Sequence, residues 1–407
     1  MPRTTISVKD LPRLPGPQSV AIKAADWVFI SGLAREPGAS DEKGLKAETS
    51  QCIDDIAAVL AAVGANLGAV AKLRAYTGDV RFFPHVDKTV GERFGSAAPA
   101  RANVCNGPFL PFSRIQLEAT AYTGGPVKAV EAKGLPTLKG RPNAGTLAGG
   151  FFFSNGMLPL DMSGQFIGLG DIRAQVEQSM DNLGVALAAA DMDHLDVVRI
   201  HNAVPEWFGF SRYNEIYLKY FKEPFGVRAT IQGAPEHMSA LVQFEAVAIR
   251  APRRTVEAEV GGVGHFTVKR DKNTVYVEDL PGALAPHSHA VQIGKVVHLT
   301  GQVGYERSGS LVKRSDIRAQ TKKTMENFGL SMEALGGSVK DIVKTNVSLT
   351  DARMIDDFFD EYAKFFDPPY PAMNLVITGL AQDTMVIEVE AMGVIGASSD
   401  AVAVVSA

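Results

Sequence analysis

The chain has 407 residues, 46% apolar and 21% charged, which is ordinary for a packed protein of about two to four domains. Its net charge of -4, with no basic block, excludes the electrostatic footprint of a nucleic-acid binder. Its two cysteines, Cys52 and Cys105, exclude a disulfide framework or an all-cysteine metal cage and suit a reducing compartment. The opening MPRTTISVKDLPRLPG lacks the apolar core of a signal peptide. No run approaches the ~20 apolar residues that span a bilayer, so a cytoplasmic chain with no membrane partner is expected.

Taken in order, the chain begins with an apolar strand, WVFISGLA, that ends in a small-residue corner, Ser31 and Gly32. A helix follows in KAETSQCIDDIAAVLAAVGA. Ile53, Ile56, Ala57, Leu60 and Val63 recur there at three- and four-residue steps, and Gly64 ends it. Then come a strand, VAKLRAYT, and a second helix around FFPHVDKTVGERF. Two closing strands lie in PARANVCNGPFLPFSRIQLEATAY, with Arg101 in the first and Glu118 in the second.

The same order then recurs. FFFSNGML supplies a corner at Asn155 and Gly156, DIRAQ opens a helix at Asp171, and FGVRATIQGAPEHMSALVQFEAVAI carries Arg228 and Glu245. It recurs again with VHLTGQVG (Thr300, Gly301) and DIRAQ at Asp316. The third PAMNLVITGLAQDTMVIEVEAMG keeps Glu390 but has Met373 in the arginine's place. The two positions are 17 residues apart in every copy. A fixed period of this kind marks one unit repeated: domains at 1–125, 126–250 and 269–397, a linker or added hairpin at 251–268, and a tail at 398–407. Each unit reads ββ-α-β-α-ββ, an α+β sheet with helices on one face.

A guanidinium is a permanently charged planar fork that grips a carboxylate in two places. A glutamate within an apolar strand is costly unless paired, and desolvation moves its pKa towards the range useful for acid–base chemistry. Recurrence at fixed spacing points to a functional pair. The plainer alternative is an interdomain salt bridge that only locks the copies together. Glu388, two residues before Glu390 on the same strand face, competes for the role in copy three. His287 and His289 have no ligand cluster near them in sequence, so no metal is expected.

The corner, the Q-containing first helix, the third strand, the P-A-R element and the closing V-x-x-E-A-x-A strand resemble, three times over, the Rid (YjgF-like, once endoribonuclease L-PSP) family of enamine/imine deaminases. The resemblance implies a chorismate-mutase-like fold with a central β-barrel, outer helices and clefts between neighbouring units. Here one chain would form all three positions as an intramolecular pseudo-trimer, a monomer or dimer of chains. It implies that Arg101 and Arg228 hold a substrate carboxylate and that Glu118 and Glu245 handle a water or proton. Ser31 and Thr300, with Asn155 in copy two, would supply the small polar corner residue beside Gly32 and Gly156. Asn214 would sit on the second helix, and His287 would replace a first-loop aromatic. The activity implied is hydrolysis of a small carboxylate-bearing enamine or imine to ammonia and a 2-oxo acid, with no cofactor. Two alternatives keep the fold: a deaminase of aminomuconate-like dicarboxylates or a chorismatase-like hydrolase, and a non-catalytic carboxylate-binding module. Copy two, with Asn214, Arg228 and Glu245, is expected to hold the most complete site, the cleft at Arg101 to come next and the cleft at Met373 to contribute little.

Overall fold

The computed structural model describes residues 3–398 and 403–406, apart from 10, 12–13, 38–40, 111, 139, 251–263, 269–271 and 283–284. Each copy builds the same sheet. A corner strand (Trp27–Ala34, Phe151–Ser154 or Val296–Gln302) pairs antiparallel with a closing strand (Gln116–Tyr122, Gln243–Ile249 or Ile387–Val394). The closing strand pairs antiparallel with a middle strand (Val70–Thr77, Val197–Val204 or Ile342–Leu349). The middle strand pairs parallel with an arginine strand (Ala100–Cys105, Val227–Gln232 or Ala372–Ile377).

Six helices cover the outer faces: α1 (Glu42–Ala62), α2 (Phe83–Phe94), α3 (Ile172–Ala189), α4 (Phe210–Tyr220), α5 (Ile317–Glu333) and α6 (Ile355–Tyr362). A parallel pair needs a crossover, and α2, α4 and α6 supply it. The longer helices start on capping aspartates, Asp41, Asp171 and Asp316, whose side chains accept from backbone N–H groups of the first turn. The DIRAQ repeat is this cap. Each helix pair closes its own apolar core against its sheet.

The inner faces of the three sheets share another core, to which all copies contribute: Phe29, Val198 and Val343 among others. The sheets meet at corners by short ladders. Ala234–Pro235 of copy two pairs with Val104 and Cys105 of copy one, Gly107–Pro108 of copy one with Val376 and Ile377 of copy three, and Gln232 bridges Gly379. Of the stretch expected as a linker, 251–263 lies outside the described residues. Gly264–Val268 is a strand antiparallel to Lys272–Tyr276. In the tail, Ala403–Ser406 adds a parallel strand beside Thr4–Ser7. No helix of the described residues is long and apolar enough to cross a membrane.

On the axis the copies are tied by charge. Each middle strand sends a basic residue to the glutamate of the next copy: Lys72 to Glu245 at 2.6 Å, Arg199 to Glu390 at 2.7 Å and Lys344 to Glu118 at 2.7 Å. Arg74 breaks the threefold pattern. It pairs with Glu118 at 3.2 Å, with Glu245, and with Glu390 at 3.7 Å. His201 and Asn346, the matching residues of copies two and three, are uncharged donors or contacts by comparison. Burial holds the His201 imidazole neutral, down at about 4, and Asn346 donates to Glu390 at 2.9 Å.

All three glutamates are only 5% exposed. Burial alone would raise their pKa values, but Arg199, His201 and Arg74 outweigh it at Glu390 and hold it near 2. Burial is opposed in the same way at Glu245, where Arg74 and Lys72 hold the carboxyl well below the usual range. A carboxyl depressed in the folded state stabilises it above the unfolded value and loses that contribution as pH falls. The ring should therefore weaken between the ordinary 4.5 and about 2. Arg74→Met removes the cation that all three buried carboxylates share while leaving each its partner from another copy, and breaking such a buried network costs up to about 3–5 kcal/mol. Urea unfolding at pH 7 should show that loss, and the difference from the parent chain should shrink at pH 3.

Candidate active site

One rule sets the clefts: the corner of each copy clamps the arginine position of the copy before it. Asn155 Oδ1 accepts from Arg101 N at 2.8 Å, and Gly156 N donates to Arg101 O at 2.8 Å. Thr300 Oγ1 accepts from Arg228 N at 3.2 Å and donates to Arg228 O at 2.7 Å. Ser31 Oγ accepts from Met373 N at 2.9 Å and donates to Ser19 O at 2.6 Å. The clefts therefore lie between copies one and two, two and three, and three and one. Ser31, Asn155 and Thr300, read from the resemblance as substrate-binding residues, spend their polar atoms on the neighbouring backbone and act as staples.

The expected arginine–glutamate pairing within a copy does not form, and strand register explains why. Arg228 lies in one row with Ile200 and Ala246, whose side chains enter the helix-side core. Glu245 lies in the next row, with His201 and Ala229, and faces the axis. Successive rows face opposite sides of a sheet. Copy one repeats this, with Arg101 beside Leu73 and Glu118 beside Arg74. Glu118 and Glu245 belong to the axial ring and not to the clefts.

The position that reaches a cleft is two residues earlier on the closing strand: Gln116, Gln243 and Glu388. Each side chain passes over the corner glycine of its own copy. A Cβ at Gly32 would lie 2.6 Å from Gln116 Nε2, at Gly156 2.7 Å from Gln243 Nε2, and at Gly301 2.3 Å from Glu388 Oε1. A side chain at Gly32 or Gly156 would therefore have to displace the end of the glutamine that lies over it.

Among the described residues, the cleft between copies two and three is the one that holds an arginine without an ion pair together with a carboxyl. Arg228 and Glu388 line a common open cleft of about 770 Å³ with Trp207, Phe210, His287, Tyr305 and Met385. Arg228 is 4% exposed. Its Nη1 donates to Asn214 Oδ1 at 2.7 Å and its Nε to Thr230 Oγ1 at 3.0 Å. Its guanidinium lies 4.6 Å from the Tyr213 ring centroid, 4.7 Å from Tyr217 and 5.1 Å from Phe210. Such stacking steadies a cation without neutralising it. Nη2 is buried without a hydrogen-bond partner, and among the described residues no carboxylate lies within ion-pair distance.

Burial, helped by the charge of Glu390 and opposed by Arg228, pushes the Glu388 carboxyl up to about 8. It is a protonated acid at neutral pH. Burial and the nearby Arg228 charge hold His287 neutral, down at about 3. His289 accepts from Val277 N at 2.9 Å through Nδ1, and its Nε2 lies 3.2 Å from Pro281 O, so it shapes the loop.

In the other two clefts the arginine position is neutralised or replaced, although the one between copies one and two still has an open pocket at Asn155 and Gly156. Asp87 stands in copy one where Asn214 stands in copy two, and pairs with Arg101 at 2.8 Å. Arg141 pairs with Glu236 and lies 3.7 Å from Asp87. Gln243 there donates to Asn103 O at 2.9 Å. In the cleft between copies three and one, Phe359 takes the Asn214 position and packs against Phe109, 6.2 Å between centroids. Gln116 is held by Asn374 at 2.7 Å and Leu375 O at 3.0 Å. Copy three supplies the carboxyl that lines the cleft with Arg228. Its signal in the sequence was a 15-residue spacing from the arginine position that gives Gln116, Gln243 and Glu388.

The family model described as endoribonuclease L-PSP matches residues 10–122, 138–250 and 277–395. The chain belongs to this family, the Rid family, in three tandem copies. A RutC family protein of Pyrococcus horikoshii is 30% identical over 122 residues, covering 30% of this chain and 96% of its own. The human 2-iminobutanoate/2-iminopropanoate deaminase is 27% identical over 116 residues, 28% of this chain and 85% of its own. The crystal structure of RidA from an Antarctic Psychrobacter is 32% identical and covers 30% of this chain and 98% of its own, with a TM-score of 0.29.

Two outcomes test the geometry of this Rid cleft. Asn214→Asp should place a carboxylate on Arg228, as Asp87 does on Arg101, and weaken binding of a small carboxylate about tenfold or more, measured by titration calorimetry. Glu388 is raised in the folded state, so its burial costs stability progressively as pH rises from the ordinary 4.5 to about 8. Glu388→Gln removes that cost. Its unfolding free energy, from urea titrations, should match the parent near pH 4 and exceed it increasingly towards pH 8, by at most about 1.4 kcal/mol per pH unit.

Proposed function

We propose that the cleft between copies two and three hydrolyses a carboxylate-bearing imine, or its enamine tautomer, to a 2-oxo acid and ammonia. The observation that carries this is one unneutralised buried guanidinium, Arg228, facing one protonated carboxyl, Glu388, across a domain boundary. Arg228 Nη2 takes the substrate carboxylate and fixes the C=N carbon beside Glu388. Glu388 donates its proton to the imine nitrogen, and the resulting iminium carbon is attacked by water. The carboxylate so formed takes the proton that water releases. The carbinolamine then loses ammonia, with the C–N bond electrons leaving on nitrogen and the C=O bond forming. From an enamine, the same acid delivers its proton to carbon first. No oxidant or electron carrier enters this balance. The human relative's name, a deaminase of small 2-imino acids, supports this reading.

A dicarboxylate substrate is less well served. Arg228 is the cation lining this cleft, and His287 is neutral. Ammonia release from imines generated in situ should fall about 100-fold or more in Arg228→Ala and in Glu388→Gln. Arg101→Ala, whose guanidinium is already paired, should stay within about twofold of the parent. Full activity in Glu388→Gln, or loss in Arg101→Ala with the fold intact, would remove the assignment.

A further inference from the structure

Resting on that reading, the walls of the same cleft carry a statement about which imine it takes. We infer that the substrate is a 2-imino acid with a bulky apolar side chain, aryl above all. The same cleft is lined by Trp207 and Phe210 of copy two and by Pro281, Tyr305 and Met385 of copy three. Trp207 and Phe210 meet edge to face, 5.0 Å between centroids, and so present a fixed aromatic wall.

The sister copies show that this wall is particular to the complete cleft. Counted seven residues back from Asn214, Asp87 and Phe359, the positions are Trp207, Val80 and Ala352. The next residues are Phe208, Arg81 and Arg353. In copies one and three this lip is an ion pair, Arg81 Nε to Asp79 at 2.9 Å and Arg353 Nε to Asp351 at 3.0 Å. In copy two the arginine is replaced by Phe208, 84% exposed, and the aspartate by Glu206. An apolar lip has arisen in the copy that holds the free guanidinium. A two- or three-carbon imine has no apolar group to lay against this wall, and an unfilled apolar wall contributes no binding.

The chemistry then fixes where such a substrate arises. A small enamine can form by loss of a leaving group from the β-carbon of an amino acid. An amino acid with an unsubstituted aryl or alkyl β-carbon has no such group to lose. Its imine forms by two-electron dehydrogenation, the Cα–H and N–H hydrogens passing to an oxidised flavin or nicotinamide. The reaction feeding this cleft is therefore an amino-acid oxidation, not a β-elimination.

The test uses the full chain and imines released by an amino-acid oxidase from phenylalanine and from alanine, followed by loss of the semicarbazide-trappable imine. The parent chain should favour the phenylalanine-derived imine in kcat/KM by about tenfold or more. Trp207→Val, which installs the copy-one residue, and Met385→Ala, on the copy-three side of the cleft, should each cut that ratio several-fold. A ratio at or below one in the parent, or a ratio unmoved in both variants, overturns the inference while leaving the deaminase reading in place. If neither imine disappears faster than with Arg228→Ala, both fall together.

Discussion

The axial ring of carboxylates and cations is the constraint on which the rest of the molecule depends. Three glutamates, buried to about nineteen parts in twenty, are tolerable only because each meets a cation from another copy. Isolated ions of this kind cost several kcal/mol each, so the copies separate only at the expense of stranding charge. The ring fixes the azimuth of each sheet about the axis. That azimuth brings the corner of one copy against the arginine strand of the one before it. The staples at Ser31, Asn155 and Thr300 then set the clefts to within a hydrogen bond.

Joining three copies in one chain frees each half-cleft to change separately, which a homotrimer of identical units cannot do. The exchange is visible in matched pairs. Arg228 faces the neutral amide of Asn214, Arg101 faces the charge of Asp87, and Met373 stands opposite Phe359 in an apolar fill. The carboxyl position has changed in step, with Glu388 opposite the free arginine and glutamines elsewhere. Copy two holds the arginine without an ion pair and copy three the carboxyl, and the cleft that joins them is built from halves of two domains.

Most of the architecture was legible in the residues. The fixed 17-residue interval, the repeated DIRAQ caps and the small corners marked three α+β units, and Arg228 with Asn214 stood out as the best anion grip. What was not legible was which side of the sheet each residue faces. Arg228 and Glu245 are separated by a turn, and the middle strand between them sets the register. No local pattern shows that they fall in rows of opposite orientation. Recurrence also misdirected the choice of glutamate. A residue that all three copies keep, as with Glu118, Glu245 and Glu390, is what a shared centre requires. A residue kept once, as with Glu388, is what a single working cleft requires. Gln116 and Gln243 hid the acid position by replacing it with an amide of the same shape.

The central claim is that one cleft of three is open to a carboxylate. Isothermal titration of the full chain with an unreactive 2-oxo acid such as 2-oxobutanoate tests this most directly. One site per chain is expected, lost in Arg228→Ala and kept in Arg101→Ala. Two or three equivalent sites, or one that survives Arg228→Ala, would contradict it.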